Sequence, residues 1–161
     1  MDKNIAEKNG KIQGVLDDIE RETHMTPTFV DKNGIILLSA GDYNPLCARI
    51  RANEDSKKFV CALTSQRMLK EVEKTRRPYI DFCEIGLYRF VIPIFSGNEL
   101  IGAIASCGTK HPDEPVESFY VAKQLDIDEN AAMQLIATAP EADPDKVKQV
   151  VETARKRIGS E

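Results

Sequence analysis

The hydrophobic pattern of the first part of the chain predicts a helix followed by a β-hairpin. Apolar residues with helical spacing share one stripe over about residues 5–23. The residues of that stripe are Ile5, Ile12, Leu16 and Ile19. Two short apolar runs, 28–30 and 35–38, then flank Asn33-Gly34. This dipeptide favours a tight turn between two strands because both of its residues tolerate positive φ.

Two further helices are predicted before the centre of the chain. Asn44 and Pro45 suit the N-cap and the first position of a short helix. Apolar residues with helical spacing then continue over about residues 55–74. Each of these helices carries a cysteine, Cys47 in the first and Cys61 in the second.

The centre of the chain has the strongest strand pattern. A strand over residues 79–83 leads into a hairpin formed by the runs 88–95 and 100–107, with Gly97-Asn98 at its tip. In this register the numbers of two opposed residues sum to 195. The pairs predicted on one sheet face are Tyr88 with Cys107, Phe90 with Ala105, Ile92 with Ala103, and Ile94 with Ile101.

The order of elements predicts one α+β domain, an antiparallel sheet with helices packed on it and a helical C-terminal tail. Its parts are a helical N-terminal segment (4–23), a core of sheet and helices (27–110) and the tail (115–159). The tail is predicted to contain helices over about 117–125, 129–139 and 143–158. A chain of 161 residues is long enough to bury one hydrophobic core.

Charge and hydropathy narrow the classes of function. The chain has 22 basic and 26 acidic residues, so it lacks the basic footprint of a nucleic-acid-binding protein. No apolar run is long enough to span a bilayer, and no signal segment follows Met1. We therefore expect a cytoplasmic protein that binds neither nucleic acid nor membrane and keeps its cysteines reduced.

Four cysteines are the strongest candidates for chemistry. They are Cys47, Cys61, Cys83 and Cys107, and no two are close enough in sequence for a Cys-x-x-Cys motif. Four thiolates are nevertheless a usual ligand set for zinc and for iron–sulfur clusters. The predicted elements allow these four to converge at one end of the sheet and form such a metal site. The alternatives are inert thiols in the core and a redox switch.

The sheet face at the central hairpin is a second candidate site. Ala103 and Ala105 are small, and in the predicted register they oppose Ile92 and Phe90, with Tyr88 at the end of the row. Small side chains in such a row leave room either for an overlying helix or for a ligand in a largely apolar pocket. We therefore take these five residues as ligand-binding candidates.

Signs of an enzyme are few. His24 and His111 lie in predicted loops, and the sequence has no nucleophile elbow, phosphate loop, dinucleotide fingerprint or His-Glu-x-x-His motif. Near the cysteines only Asp81 and Glu84 have side chains suited to an acid or a base. We therefore expect no catalytic activity, with a metal-dependent enzyme or a metal-delivery protein as the alternative.

Several segments of the sequence resemble the PocR sensory domain. They are Leu46-Cys47, Cys61, Pro78, Cys83-Glu84-Ile85-Gly86-Leu87, Val91-Ile92-Pro93-Ile94, Gly97 and Leu100-Ile101-Gly102, and the resemblance covers about residues 5–158. It implies a PAS- or GAF-like sensor of the kind attached to histidine kinases, chemotaxis receptors or AraC-type regulators. Small hydrocarbon derivatives such as diols are the ligands proposed for that family.

Two departures from the family pattern bear on function. No output domain is present in these 161 residues. We therefore expect signalling to a partner protein in trans, with a homodimer allowed, unless the chain is an excised domain. Where the family often has Gly-Gln after the return strand, this chain has Ser106-Cys107-Gly108. Exchanging a polar pocket residue for a thiol favours a fourth metal ligand over a diol site. The expectation is a sensor of a metal or cluster, or else of a small organic molecule.

Overall fold

The computed structural model of the protein describes residues 3–159, with side chains from residue 8 onward. It contains an antiparallel sheet formed by β1 (Thr26–Asp31), β2 (Ile36–Ser39), β3 (Tyr79–Phe82), β4 (Tyr88–Ser96) and β5 (Glu99–Thr109). The strand order across the sheet is β2-β1-β5-β4-β3. Both predicted hairpins are therefore present, and they pair with each other through β1 and β5.

Helices cover both faces of the sheet. They are α1 (Lys3–Thr23), α2 (Pro45–Ala52), α3 (Glu54–Ser56), a π-helical segment (Lys57–Ala62), α4 (Leu63–Thr75), α5 (Ser118–Leu125), α6 (Glu129–Ala137) and α7 (Pro144–Arg157). The predicted α+β class, with its antiparallel sheet and helical C-terminal tail, is confirmed. None of the helices described between residues 3 and 159 combines the length and the hydrophobicity that a membrane span requires.

The first helix and the last helix bury the main core against one face of the sheet. Leu16 and Ile19 of the predicted stripe are fully covered, and they pack with Phe90 and Ile92 of β4. Each such side chain contributes roughly 1.5–3 kcal/mol when it leaves water. The side chain of Ile5, the first residue of that stripe, lies outside the described residues.

The other face of the sheet is covered by α4 along only part of its length. Met68 and Val72 of that helix pack on Val91 and Ala103. A separate apolar cluster joins α2, α5 and α6 beside the turn that follows β3, and Leu46 and Ile85 lie at its centre. The open region between these two clusters contains the candidate site.

The predicted register of the central hairpin is wrong over most of its length. Phe95 opposes Leu100 as predicted, but a bulge follows, and Ile94 opposes Gly102 instead of Ile101. From there to Phe90 every pair is displaced by one residue. Because successive strand residues face opposite sides, a displacement of one changes which side chains share a face.

One predicted helix is divided. The run expected over residues 55–74 is observed as α3, the π-helical segment and α4 in direct succession. The spacing of apolar residues alone does not predict a π-helical turn, because the apolar residues on either side of it keep the spacing of an α-helix. Such turns are frequent at functional sites, and this one carries Cys61.

Candidate functional site

The four cysteines lie on four different parts of the fold around one end of the sheet. Cys47 lies in the first turn of α2, Cys61 in the π-helical segment, Cys83 directly after β3, and Cys107 near the end of β5. Cys47 is buried, the other three are half-buried, and all four are free thiols. We call this group the thiol cluster.

The thiols of this cluster act on one another's ionisation. Burial is the main cause that raises the pKa of Cys47, and Cys107, Cys83 and Cys61 raise it further. Burial also raises the pKa values of Cys61 and Cys83, and in both cases Cys107 adds to the rise. Coulomb interactions of this kind weaken with separation, so the four thiols share one neighbourhood.

The turn after β3 surrounds the sulfur of Cys83 with backbone donors. Burial raises the pKa of this thiol to about 11, and hydrogen bonds from the N–H groups of Ile85 and Leu87 oppose that rise. The N–H of Gly86 donates to the carbonyl oxygen of Cys83 at 2.9 Å, and Gly86 has a φ of 95°, where glycine is favoured. Backbone donors aimed at sulfur favour the thiolate, the form that binds metals.

Asn44 holds Cys47 beside the end of β5. Its Oδ1 accepts a hydrogen bond from the backbone N–H of Cys47 at 2.9 Å and so caps α2. Its Nδ2 donates to the carbonyl oxygen of Gly108 at 2.7 Å and lies 3.5 Å from the Cys47 sulfur. One side chain thus ties the start of α2 to the residue that follows Cys107.

The thiol cluster is not arranged around a single ion. Within the part of the chain that the structure describes, no group of three or more His, Cys, Asp or Glu side chains has a spacing that holds a metal ion. Zinc binds thiolate sulfur at about 2.3 Å, so four tetrahedral sulfurs around it are only about 3.8 Å apart. The thiols are therefore neighbours without forming a ready zinc site.

A cavity of about 320 Å³ lies next to the thiol cluster, between the sheet and the π-helical segment with α4. Cys61 and Cys107 belong to its wall, so the cavity and the thiol cluster share two residues. The sheet contributes Thr28, Val30 and Ala105, and α4 contributes Ser65 and Leu69. This arrangement is that of a ligand pocket, apolar over much of its surface with a few polar groups.

The charged part of the cavity lining is basic. Arg51, Lys57 and Arg89 line it, and among the described residues no acidic side chain does. Arg89 is only 7% exposed. The sequence pattern does not reveal Arg51 or Lys57, which lie on ordinary polar positions of helices. Arg89 did give a signal, because a charge inside the apolar run of β4 requires a partner when that strand is buried.

The five residues predicted to line a ligand pocket are divided between the two faces of the sheet. Ala105 lines the cavity, and Ala103 lies on the same face beneath α4. Tyr88, Phe90 and Ile92 lie in the main core with α1 and α7. The one-residue displacement of the hairpin is the physical reason, since it places the alanines and the aromatic residues on opposite faces.

Neither of the two carboxylates considered for acid–base chemistry is placed to act as an acid or a base: Asp81 is in an ion pair, and Glu84 is exposed. Asp81 accepts hydrogen bonds from Arg67 Nη1 at 2.6 Å and from the Tyr79 hydroxyl at 2.8 Å. Burial acts to raise the pKa of Asp81, but these hydrogen bonds outweigh burial and the net pKa is lowered. Glu84 is exposed. Asp81 is thus held as an anion in an ion pair.

Comparison with solved structures finds remote likenesses. A C-terminal domain of a putative transcriptional regulator from Vibrio cholerae is similar over 92% of this chain and 94% of its own, with 10% identity and a TM-score of 0.41. A putative ICLR transcriptional regulator from a Silicibacter species is similar over 94% of this chain and 67% of its own, with 12% identity and a TM-score of 0.41. The IclR of Thermotoga maritima has 15% identity over 94% of this chain and 68% of its own, with a TM-score of 0.36. A comparison with curated proteins finds no match.

Comparison with protein families gives a match over nearly the whole chain. The family described as the sensory domain found in PocR matches residues 8–158. The matched range contains the whole sheet, the thiol cluster and the cavity. The resemblance carried by the cysteine-bearing and Pro-Ile segments is confirmed. The chain therefore belongs to the PocR sensory domain family, whose members are signal-sensing, ligand-binding modules.

Proposed function

We propose that this sensory domain holds an iron–sulfur cluster on its four cysteines and reports the state of that site to a partner protein. The observation that carries this proposal is the thiol cluster itself. Four thiols from four separate elements lie at one end of the sheet, and Cys107 contributes to the raised pKa values of the other three. Four cysteines are the standard ligand set of such clusters.

The arrangement of the thiols in the described residues is against a zinc site. A zinc ion requires all four sulfurs around one atom, about 3.8 Å apart. In a four-iron cluster each cysteine binds a different iron, so the four sulfurs are farther apart. Because the thiols in the described part of the chain do not surround a single ion, we propose the larger group in place of zinc.

The surroundings of the thiols also favour thiolates. Arg51 and Arg89 lower the pKa of Cys61, against the effect of burial. Arg89 acts in the same direction on Cys83, whose sulfur also accepts two backbone hydrogen bonds. Nearby positive charge and hydrogen bonds to sulfur are the features by which proteins stabilise a cluster and set its potential.

A second candidate is a sensor of a small organic molecule in which the cysteines are inert. The cavity beside the thiol cluster supports it, and burial raises the pKa values of Cys47, Cys61 and Cys83, which favours their protonated form when no metal is bound. In both cases we propose a domain without catalytic activity that signals to a partner protein in trans, as a monomer or a homodimer. The family supports the sensing role.

The test is the metal content of the protein purified anaerobically without an affinity tag. Iron, acid-labile sulfide and zinc are measured together with the visible absorption spectrum. We expect iron and sulfide in fixed ratio to the chain, and a broad visible absorption. Cys107→Ser should lose both, because the variant lacks one ligand, and its melting temperature should fall since metal binding is linked to folding.

Ser106→Ala is the matched control. Ser106 adjoins Cys107 in β5 but faces the other side of the sheet, and its buried hydroxyl has no hydrogen-bond partner among the described residues. It should keep wild-type iron and sulfide. One zinc per chain in place of iron would overturn the cluster. A metal-free protein with four titratable thiols would leave the organic ligand as the function of the site.

A further inference from the structure

The cavity holds a buried positive charge without a counter-ion. Arg89 lies on the sheet face of the cavity, 7% exposed. One of its Nη atoms donates to Ser65 Oγ, while its Nε has no hydrogen-bond partner among the residues described. A buried guanidinium without an anion is costly. The observed contacts with neutral groups therefore leave this charge uncompensated.

The nearest carboxylate in the sheet is already engaged. Asp81 opposes Arg89 in the β3–β4 register. Its carboxylate instead pairs with Arg67 at 2.6 Å and accepts the Tyr79 hydroxyl hydrogen bond. Among residues 8–159, none of the observed ion pairs includes Arg89. The carboxylate that lies opposite Arg89 in the sheet, Asp81, is thus paired with Arg67 instead.

Two more cations face the same space. Arg51 lies with its guanidinium carbon 4.5 Å from the centre of the Tyr43 ring, half-buried at the cavity wall. Lys57, in the first turn of the π-helical segment, is exposed and also lines the cavity. Neither forms an ion pair within the described part of the chain. Three positive charges, from the exposed Lys57 to the buried Arg89, therefore line one cavity.

Part of the remaining lining is apolar, and polar side chains such as Thr28, Asn33 and Ser65 complete it. Val30, Leu69, Ala62 and Ala105 surround the space next to these charges. A volume of about 320 Å³ is at the small end of the range for ligand pockets. An inorganic anion would leave this apolar surface uncovered, whereas an uncharged molecule would leave Arg89 unpaired. An anion with a short hydrocarbon body satisfies both parts.

We propose that the cavity binds a small organic carboxylate, with the carboxylate on Arg89 and the hydrocarbon body against Leu69 and Val30. The planar guanidinium fork matches a carboxylate through two parallel hydrogen bonds. Lys57 and Arg51 attract the anion and shield it from water. This site is distinct from the thiol cluster although both use the wall formed by Cys61 and Cys107.

The test is a binding series on the full chain as purified. Straight-chain carboxylates from acetate to octanoate are titrated by calorimetry, with the primary alcohol and the primary amine of each length as controls. The carboxylates should bind at least about tenfold more tightly than the alcohols and amines, a difference of one decade in Kd. Affinity should rise with chain length until the cavity is filled, because each added carbon buries apolar surface.

Two substitutions locate the site. Arg89→Met keeps the length and apolar stem of the side chain, and it should weaken carboxylate binding at least about tenfold. Lys57→Met, at an exposed position where folding is not at risk, should weaken it by a smaller factor and slow association. Arg49→Met is the matched control on the exposed side of α2 and should bind as wild type.

The outcomes separate this site from the iron–sulfur cluster. Equal binding of alcohols and carboxylates, or unchanged binding by both Arg89→Met and Lys57→Met, would overturn the carboxylate site. Carboxylate binding by a chain without iron would support this site and remove the cluster. A chain that contains iron but binds no carboxylate would support the cluster and overturn the carboxylate site. Arg89 would then serve only to balance the charge of the cluster.

Discussion

Two alanines of β5 should differ in how far the same substitution changes the free energy of unfolding. Ala103 and Ala105 lie two residues apart on one face of one strand. Ala103 is fully covered by the packing of Met68 and Val72 of α4, whereas Ala105 lines the cavity. Both alanines are buried in the cluster that contains Met68 and Val72, but only Ala105 borders the cavity. Replacing each with leucine therefore tests whether the cavity can accept a larger side chain, with strand, residue type and added volume held constant.

The expected magnitudes follow from these surroundings. At Ala103 the three added carbons have no space, and overpacking of this kind costs about 1–3 kcal/mol. At Ala105 the same carbons enter the cavity, where burying three methylene-sized groups gains up to about 2.4 kcal/mol. Dehydration of the nearby Arg89 offsets that gain. We expect Ala105→Leu to lie within about 1 kcal/mol of wild type and Ala103→Leu to lose about 2 kcal/mol.

Urea unfolding of the two variants is the assay. With a slope near 2 kcal/mol per molar urea, the loss in Ala103→Leu lowers the midpoint by about 1 M. Ala105→Leu should keep its midpoint yet lose carboxylate binding, since the leucine occupies the ligand's space. If Ala105→Leu is destabilised as much as Ala103→Leu, the space over Ala105 is packed in solution and the cavity does not exist as described.

Two further predictions concern the thiol cluster. Asn44→Ala removes the N-cap of α2 and its bond to Gly108, and it should cost about 1–2 kcal/mol in urea unfolding. An unchanged midpoint would show that the cap does not hold Cys47. In the reduced, metal-free protein, the pKa of Cys83 is raised from 9.0 to about 11, so the folded state holds this proton more tightly. Stability is then complete below about pH 9, and up to about 3 kcal/mol is lost as the pH rises through 11. Between pH 8.5 and pH 11 the loss of stability should be smaller in Cys83→Ala than in the wild type by up to about 3 kcal/mol, since Cys47 and Cys61, whose pKa values are also raised, contribute to both proteins. Equal pH dependence in both would contradict the raised pKa of Cys83.

Local signals in the sequence predicted the elements well. Asn44 and Pro45 mark the start of α2, and the structure shows the predicted N-cap contact. Asn33-Gly34 and Gly97-Asn98 mark the two hairpin turns. Signals of this kind depend on a few neighbouring residues and on fixed backbone preferences, so they survive in any tertiary context.

Contacts between distant segments were beyond the sequence pattern. The pairing of β1 with β5 joins segments more than 70 residues apart, as Thr28 opposite Ala105 shows. The π-helical segment interrupts a run whose apolar spacing is otherwise helical. The basic lining of the cavity combines residues of α2, of the π-helical segment and of β4. No periodic pattern of apolar and polar residues in the sequence predicts any of these three features.

The bulge between Ile94 and Phe95 explains why the sequence pattern did not place Arg89 at the candidate site. With the predicted register, the alanines and Cys107 share a face with Phe90, and Arg89 lies on the other side. The observed displacement places Arg89 on the face of Ala105 and Cys107. A single extra residue in one strand thus brings a buried cation, a small side chain and a thiol to one surface. Because bulges re-aim side chains near functional sites, we regard this one as the feature that creates the cavity.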